Sequence, residues 1–310
     1  MCSKSKYLFG PVPSRRLGLS LGVDIVPLKV CTLDCIYCQI GRTTEKTIER
    51  KEYVSCQAVL EELDLRIAEG LEADYITISG SGEPALNSQL GAIIDGIKKI
   101  TSIPVAVLTN GTLLTDSSVR ADCAKADVVL PSLDAADQQT FERINRPHRQ
   151  LDIEQIIEGL CSFRAEYAGR IWLEVFLVEG FNADNGQISK LTEAVERIAP
   201  DKVQLNTAVR PTAEQGIKSL DTELLEQIAE KIGPNCEVAA DFSRDICKNT
   251  IEVTTEKVLS MLKRRPCSLE DVCAGLGIAH DEALKHLEHL KQRGVVDSED
   301  KGQTVFFRAN

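Results

Sequence analysis

Short apolar runs alternate with longer amphipathic stretches through most of the chain. Leu19–Val26, Tyr75–Ser79, Val105–Asn110, Val128–Asp134, Ile171–Val178 and Val203–Val209 read as strands, followed in turn by segments of helical period over 55–69, 88–100, 115–125, 151–167, 184–198 and 221–232. Each helix is the crossover that parallel neighbours require, so the series predicts an α/β fold with a parallel sheet. About six units fall short of the eight that close a barrel, and the expectation is a partial, open TIM-like barrel.

Alternation within the strands sorts their faces. Ser20, Gly22 and Asp24 share one side against Leu19, Leu21, Val23 and Ile25, and Thr77 and Ser79 oppose Ile76 and Ile78. Likewise Ser132 and Asp134 oppose Leu133, and Gln204, Asn206 and Arg210 oppose Val203, Leu205 and Val209. A closed barrel packs bulky aliphatics inside, so a polar inner face predicts a solvent- or ligand-filled lumen. Glu174, inside an apolar run, is too costly to bury unpaired and is expected to face that lumen near a cation.

Near residue 250 the pattern changes. Helices are expected over 255–265, 268–275 and 280–293, then Val295-Val296 and Thr304–Phe307 about a polar turn containing Lys301-Gly302. Gly277 falls in the turn before the third helix, and Gly294 ends that helix as a C-cap glycine does. Three helices and a hairpin predict a small winged helix-turn-helix domain, with boundaries at 1–249 and 250–310.

The composition, with 43% hydrophobic and 27% charged residues among 310, supports a sizeable core and excludes disordered and fibrous classes. No apolar run reaches the roughly 18 residues of a membrane span, and Met1-Cys2-Ser3-Lys4 lacks the apolar core of a signal peptide. A cytoplasmic protein with no membrane partner is expected, its eleven cysteines reduced. Net charge is −11, yet residues 1–51 hold nine Lys/Arg against four acids, which fits a basic mouth for an anionic substrate. Residues 250–310 hold nine Lys/Arg against ten acids, and His280-Asp281-Glu282 opens the third helix. That balance suits a protein partner at least as well as nucleic-acid phosphates.

The chemistry concentrates in C-T-L-D-C-I-Y-C, where Cys31, Cys35 and Cys38 fall directly after the first strand. A structural zinc site needs four ligands, usually from two paired clusters, and no second C-x-x-C follows. Three asymmetric cysteines suit a cubane iron–sulfur cluster with one iron left open. Cys56, Cys123 and Cys161 fall on predicted helices and read as small core residues, whereas Cys236, Cys247, Cys267 and Cys273 are candidates for an auxiliary cluster. Asn110 and Ser132-Leu133-Asp134 end the third and fourth strands, where ligands of parallel α/β sheets gather.

The spacing C-x-x-x-C-x-x-C, with Tyr37 before the last cysteine, resembles the signature of the radical S-adenosylmethionine (SAM) superfamily. Ser79-Gly80-Ser81-Gly82-Glu83-Pro84 at the end of the next strand resembles its Gly-Glu-Pro motif, and the likeness covers roughly residues 7 to 240. The resemblance implies a [4Fe–4S] cluster on Cys31, Cys35 and Cys38, and cleavage of SAM to a 5′-deoxyadenosyl radical. It also implies an electron donor of the reduced flavodoxin or ferredoxin type. Glu83 would hold the SAM ammonium, Gly80 and Gly82 would allow close backbone approach, and Asn110, Ser132, Asp134 and Asn206 are further cofactor candidates. Arg15, Arg16, Arg143, Arg146 and Arg210 are candidates for an anionic substrate, whose guanidinium forks suit carboxylate or phosphate.

Phe9-Gly10-Pro11-Val12-Pro13-Ser14-Arg15-Arg16-Leu17-Gly18, with the cysteine loop, resembles a subgroup related to the tRNA wyosine-base synthesis enzymes. It departs from them in lacking a second upstream cysteine triad, since only Cys2 precedes Cys31. An RNA base, with tRNA as the partner, is the first substrate expectation, and a protein or small anionic metabolite the second. A regulator in which a cluster senses oxygen or iron and the winged helix binds DNA is the expectation from a different class; Glu83 in its Gly-Pro frame argues against it.

Overall fold

The computed structural model describes residues 6–14, 16–239, 255–302 and 304–310. Strands β1 (Leu8–Ser14) and β2 (Gly18–Val23) form an antiparallel pair, and the short strands β3 (Val30–Cys31) and β4 (Glu45–Lys46) bracket the cysteine loop. Helices and strands then alternate: α1 (Cys56–Ala68), β5 (Tyr75–Ile78), α2 (Leu90–Ile100), β6 (Val105–Thr109), α3 (Ser117–Cys123) and β7 (Val128–Pro131). The series continues with α4 (Gln138–Ile144), α5 (Ile153–Glu166), β8 (Arg170–Leu177), α6 (Asn185–Ile198), β9 (Lys202–Thr207), α7 (Thr222–Ile232) and β10 (Cys236–Val238).

The main sheet has the order β1-β2-β5-β6-β7-β8-β9-β10, parallel from β2 onward. Among the described residues its edges β1 and β10 do not pair, and the barrel they form is open. Aspartates at the ends of connecting loops start five of the helices: Asp116, Asp137, Asp152, Asp184 and Asp221 each accept a backbone N–H of the first turn. Those caps fix where each chain segment leaves the strand ends, and so fix the loops that build the site.

The outer face of the sheet carries the core. Leu21, Val23, Ile76, Ile78, Val105, Val107, Val129, Leu173, Val175, Val203 and Leu205 are fully buried there with the helix faces. The inner face is less polar than the alternation predicts. Leu17, Ala106, Val128 and Leu130 form a separate apolar cluster with Tyr75, Leu108 and Trp172. In this part of the lumen apolar side chains pack on one another, as they do in a closed barrel. Ser20 and Thr77, whose hydroxyls meet at 2.5 Å, stand in register with Tyr75 and Ala106 of that cluster, whereas Asp24 and Ser132 lie at strand ends on the side of the cysteine loop.

Residues 255–310 hold α8 (Thr255–Arg264), β11 (Cys267–Ser268), α9 (Leu269–Leu276), α10 (His280–Gln292), β12 (Val296–Lys301) and β13 (Thr304–Ala309). Their sheet has the order β11-β13-β12, and they pack about their own core of Val258, Met261, Leu262, Val272, Ala283, Leu287 and Val296. Gly277 caps α9 in the left-handed region, as the turn requires.

This module sits on the mouth of the barrel. Arg210, after β9, pairs with Asp271 at 2.7 Å. Lys301 Nζ donates to the carbonyls of Ala208 at 2.6 Å and Arg210 at 2.7 Å, and Arg308 donates to the Ile40 carbonyl at 3.2 Å. Arg264 reaches Asp24 at the end of β2.

Candidate active site: the cysteine loop at the barrel mouth

The loop from Cys31 to Lys46 is stapled to its surroundings by backbone bonds. Asp34 and Ile36 donate to the carbonyls of Asn145 and Ile144, both at 2.9 Å, and His148 donates to that of Thr32 at 2.9 Å. Cys38 N–H donates to the Cys35 carbonyl at 3.1 Å, closing a turn between the second and third cysteines. Tyr37 stacks on Phe176 with ring centroids 3.9 Å apart.

Each of the three sulfurs accepts a hydrogen bond from a different side chain. Asn110 Nδ2 lies 3.6 Å from Cys31 Sγ, Asn145 Nδ2 lies 3.3 Å from Cys35 Sγ, and Lys29 Nζ lies 3.1 Å from Cys38 Sγ. Burial pushes the Cys31 thiol up to about 12 and the Cys35 thiol well above its ordinary value, with Glu83 and Asp134 respectively adding to the effect. In the protein alone these thiols keep their protons; iron ligation requires thiolates and displaces them.

Among the described residues no three His, Cys, Asp or Glu side chains converge on a single metal-ion position. In a cubane each of three thiolates binds a different one of the four irons, so the thiolates stand further apart than ligands of one ion, and a donor to each sulfur suits anionic sulfurs. The donor set therefore fits an iron–sulfur cluster better than one ion. Of the auxiliary-cluster candidates, Cys267 and Cys273 belong to the core of the C-terminal module, Cys236 packs against the barrel core, and Cys247 lies outside the described residues.

The Gly-Glu-Pro loop lies directly beneath. Glu83, 2% exposed, accepts from Ala85 N–H at 2.9 Å, Thr109 Oγ1 at 2.6 Å and Asn110 N–H at 2.7 Å. Burial raises its carboxyl, against the pull of these bonds. Three of roughly four acceptor positions are thus taken within the protein, and the carboxylate ties the β5 loop to the end of β6. The two glycines serve the protein's own packing as well. A Cβ on Gly82 would lie 1.9 Å from the Val30 carbonyl oxygen, and one on Gly80, at φ +141°, would lie 2.3 Å from Asp24 Oδ1. Close approach is required here by Val30 and Asp24, whatever else the loop binds.

Asp134 is likewise occupied. Its carboxylate accepts from Phe176 N–H at 2.9 Å, Asn145 Nδ2 at 2.6 Å and the Tyr37 hydroxyl, and burial pushes it up to about 6. It orients Tyr37 and Asn145 around the cysteine loop. Ser132, half-buried, stands beside Glu174. Asn110 also donates to Thr32 Oγ1 at 2.8 Å, and its Oδ1 accepts from Thr112 N–H at 3.1 Å.

In the lumen Glu174 meets the cation expected for it. Arg16 pairs with one oxygen and Asn206 Nδ2 donates to the other at 3.0 Å. The other candidate arginines are also engaged: Arg146 with Glu214 at 2.7 Å, Arg210 with Asp271, and Arg143 over the Phe181 ring at 5.0 Å. Arg15 lies outside the described residues. The mouth is therefore less basic than a count of its arginines suggests. Sequence reasoning took Lys29 only as one basic residue of the mouth and Thr109 only as a strand end, and gave Asn145 and Arg264 no role at the site; Lys29, two positions before Cys31, lies nearest the motif.

The radical SAM superfamily model matches residues 25–191. A Brachyspira hyodysenteriae protein named GTPase Obg is 37% identical over 310 residues, which are 99% of this chain and 46% of that protein. The chain thus spans less than half of that relative's length. The UPF0026 protein of Methanocaldococcus jannaschii is 37% identical over 233 residues, which are 73% of this chain and 72% of that protein. Among solved structures, TYW1 with a lysine–pyruvate adduct bound has a TM-score of 0.54 at 22% identity, covering 72% of this chain and 75% of that one, a likeness of fold.

The chain belongs to the radical SAM superfamily, whose members cleave SAM with an iron–sulfur cluster. It is an enzyme whose cofactors are a [4Fe–4S] cluster and SAM, and it needs a reductant. Within that class it stands beside the UPF0026 proteins. No helix among the described residues is long and apolar enough to cross a membrane.

Proposed function

We propose that Cys31, Cys35 and Cys38 hold the cluster and that the loop Gly80–Glu83, with Asn110, Ser132 and the Glu174–Asn206 pair, forms the SAM pocket. The observation that carries this reading is the separate N–H donor on each of the three sulfurs, from Lys29, Asn110 and Asn145. When bound, the cluster supplies the electron that cleaves a carbon–sulfur bond of SAM to give a 5′-deoxyadenosyl radical. The chain's own residues position and exclude. Glu83 holds the β5 and β6 ends together, Asp134 fixes Tyr37 and Asn145, and the C-terminal module shields the mouth from water.

Glu83 then acts on SAM through the backbone it organises, with its remaining acceptor position toward the ammonium. The substrate of first choice is an RNA base, on the resemblance to the wyosine-related subgroup, with residues 250–310 as a winged helix. A second reading, a protein or small anionic metabolite, is favoured by the seat of the module on the mouth and by the pairing of Arg16, Arg146 and Arg210. A cytoplasmic location and a flavodoxin or ferredoxin donor belong to the same proposal.

The test is anaerobic reconstitution with iron and sulfide, followed by reductant and SAM. Release of 5′-deoxyadenosine, lost in Cys35→Ala, is the expected result; no release from a loaded protein with SAM bound would overturn the reading. Unchanged tRNA nucleoside masses after loss of the gene would remove the RNA substrate and leave the second reading.

A further inference from the structure

Lys29 is a buried lysine in an unusual place. It is 7% exposed, although lysine is almost never buried without a partner. Among the described residues no carboxylate lies within ion-pairing distance of it, and its Nζ instead lies 3.1 Å from Cys38 Sγ. Its backbone is held at φ 62°, in the left-handed region that side chains other than glycine rarely adopt. Such strain persists only where the surroundings over-determine it. Here the Lys29 N–H donates to the Ser81 carbonyl at 2.6 Å, and its own carbonyl accepts from Thr44 and Glu45 at 3.1 and 3.2 Å. One residue thus joins the Gly-Glu-Pro loop, the far end of the cysteine loop and the third cysteine.

We infer that Lys29 is a positioning residue for the cluster, setting its reduction potential by placing a fixed positive charge against the Cys38 sulfur. This rests on the proposed ligand role of Cys31, Cys35 and Cys38. Three thiolates outweigh the charge of the oxidised cubane, and the electron taken up in reduction makes the assembly more negative still. A cation bonded to one sulfur stabilises the reduced form more than the oxidised one, so it raises the potential. Asn110 and Asn145 donate to the other two sulfurs without a formal charge, which makes Lys29 the distinctive contact of the three. The lysine transfers no proton; the single electron comes from the external reductant and resides on the cluster.

The test is a redox titration of the cluster's electron paramagnetic resonance signal in reconstituted wild type, Lys29→Met and Lys29→Arg, without SAM, beside iron and sulfide analysis. Methionine keeps the stem and leaves the backbone strain as it was, so charge is the main difference. The expected result is full iron loading in all three, a more negative potential in Lys29→Met, and a potential near wild type in Lys29→Arg. Equal potentials in wild type and Lys29→Met overturn the inference, as does an equal fall in Lys29→Arg. If Lys29→Met holds no iron, Lys29→Gln is titrated in its place under the same criteria. Loss of iron in all three variants shows a role for the backbone corner alone and also overturns the inference. Failure of the wild type to hold about four irons instead overturns the ligand assignment, and so separates the two.

Discussion

Arg264, the last residue of α8, donates a hydrogen bond to the carboxylate of Asp24, 240 positions earlier in the chain. The same nitrogen lies 3.3 Å from Ser81 Oγ, and the guanidinium covers the Phe9 ring at 4.2 Å. Asp24 also accepts from Ser81 N–H at 3.2 Å and Ser81 Oγ at 2.5 Å. The C-terminal module therefore supports the Gly-Glu-Pro loop from outside the barrel. That contact also seats the module over the end of the lumen on the side of the cysteine loop.

Arg264→Ala leaves Asp24 nearly buried with its cation removed and only Ser81 to satisfy it. A loss of about 1–3 kcal/mol in unfolding free energy is expected. Amide hydrogen exchange at Ser81 should accelerate while that of β7 is unchanged. A double-mutant cycle with Asp24→Asn should give a coupling of about 0.5–3 kcal/mol; additive losses would mean that the two residues act separately.

Asp271 ties the module to the barrel at a second point and is expected to make its stability pH-dependent. Burial alone raises its carboxyl, but Arg210, the Ser268 N–H and Arg265 together outweigh that and hold it below the usual carboxylate range. A group with a lowered folded pKa stabilises fully above its unfolded value, about 3.9, and loses that contribution as pH falls through the folded value. Asp271→Asn should therefore cost about 1–3 kcal/mol at pH 7. The gap from wild type should narrow on acidification below about pH 4, as followed by denaturant titration at each pH. A gap that stays constant would assign the loss to packing.

Six strand–helix units are legible in the sequence because each strand is a run of β-branched and aliphatic residues and each helix has a 3.6-residue stripe. The cysteine triad and Gly80–Pro84 are legible because their chemistry is packed into short stretches. What surrounds the sulfurs is not, because Asn110 and Asn145 lie 79 and 110 positions from the cysteines they contact and read locally as a turn asparagine and a helix end. The apolar part of the lumen escaped for a related reason. Ala106, Leu108, Val128 and Leu130 alternate with residues equally apolar, so no period separates inside from outside. The occupied state of Glu83 and of the arginines is likewise a property of neighbours distant in sequence.

Tyr37→Phe removes the hydroxyl that donates to Asp134 but keeps the stack on Phe176. The aspartate retains Asn145 and the Phe176 N–H, so the expected cost is modest, about 0.5–1.5 kcal/mol. Asp134→Asn should cost more, since the replacement amide directs a donor at Tyr37 or Asn145. Iron content after reconstitution should follow the same order, with Asp134→Asn losing more than Tyr37→Phe. The reverse order would place the hydroxyl, rather than the carboxylate, at the centre of this support.

Gly82→Ala tests the seat of the cysteine strand on the Gly-Glu-Pro loop. The new methyl would meet the Val30 carbonyl oxygen at 1.9 Å and the Val26 side chain at 3.2 Å, so backbone must move to admit it. That shift would break the bond from Glu83 N–H to the Val30 carbonyl, 3.0 Å long, and displace Cys31 beside it. A loss of about 3 kcal/mol or more is expected, in the range reserved for overpacking and broken buried bonds together. Ser81→Ala, at the neighbouring position, adds no atoms and removes only the hydroxyl contacts to Asp24 and Arg264. It should cost about 1 kcal/mol and leave cluster loading intact. If both variants load iron equally well, the contact between the two loops does not govern the geometry of Cys31, and its stiffness must come from the stapling at Thr32, Asp34 and Ile36.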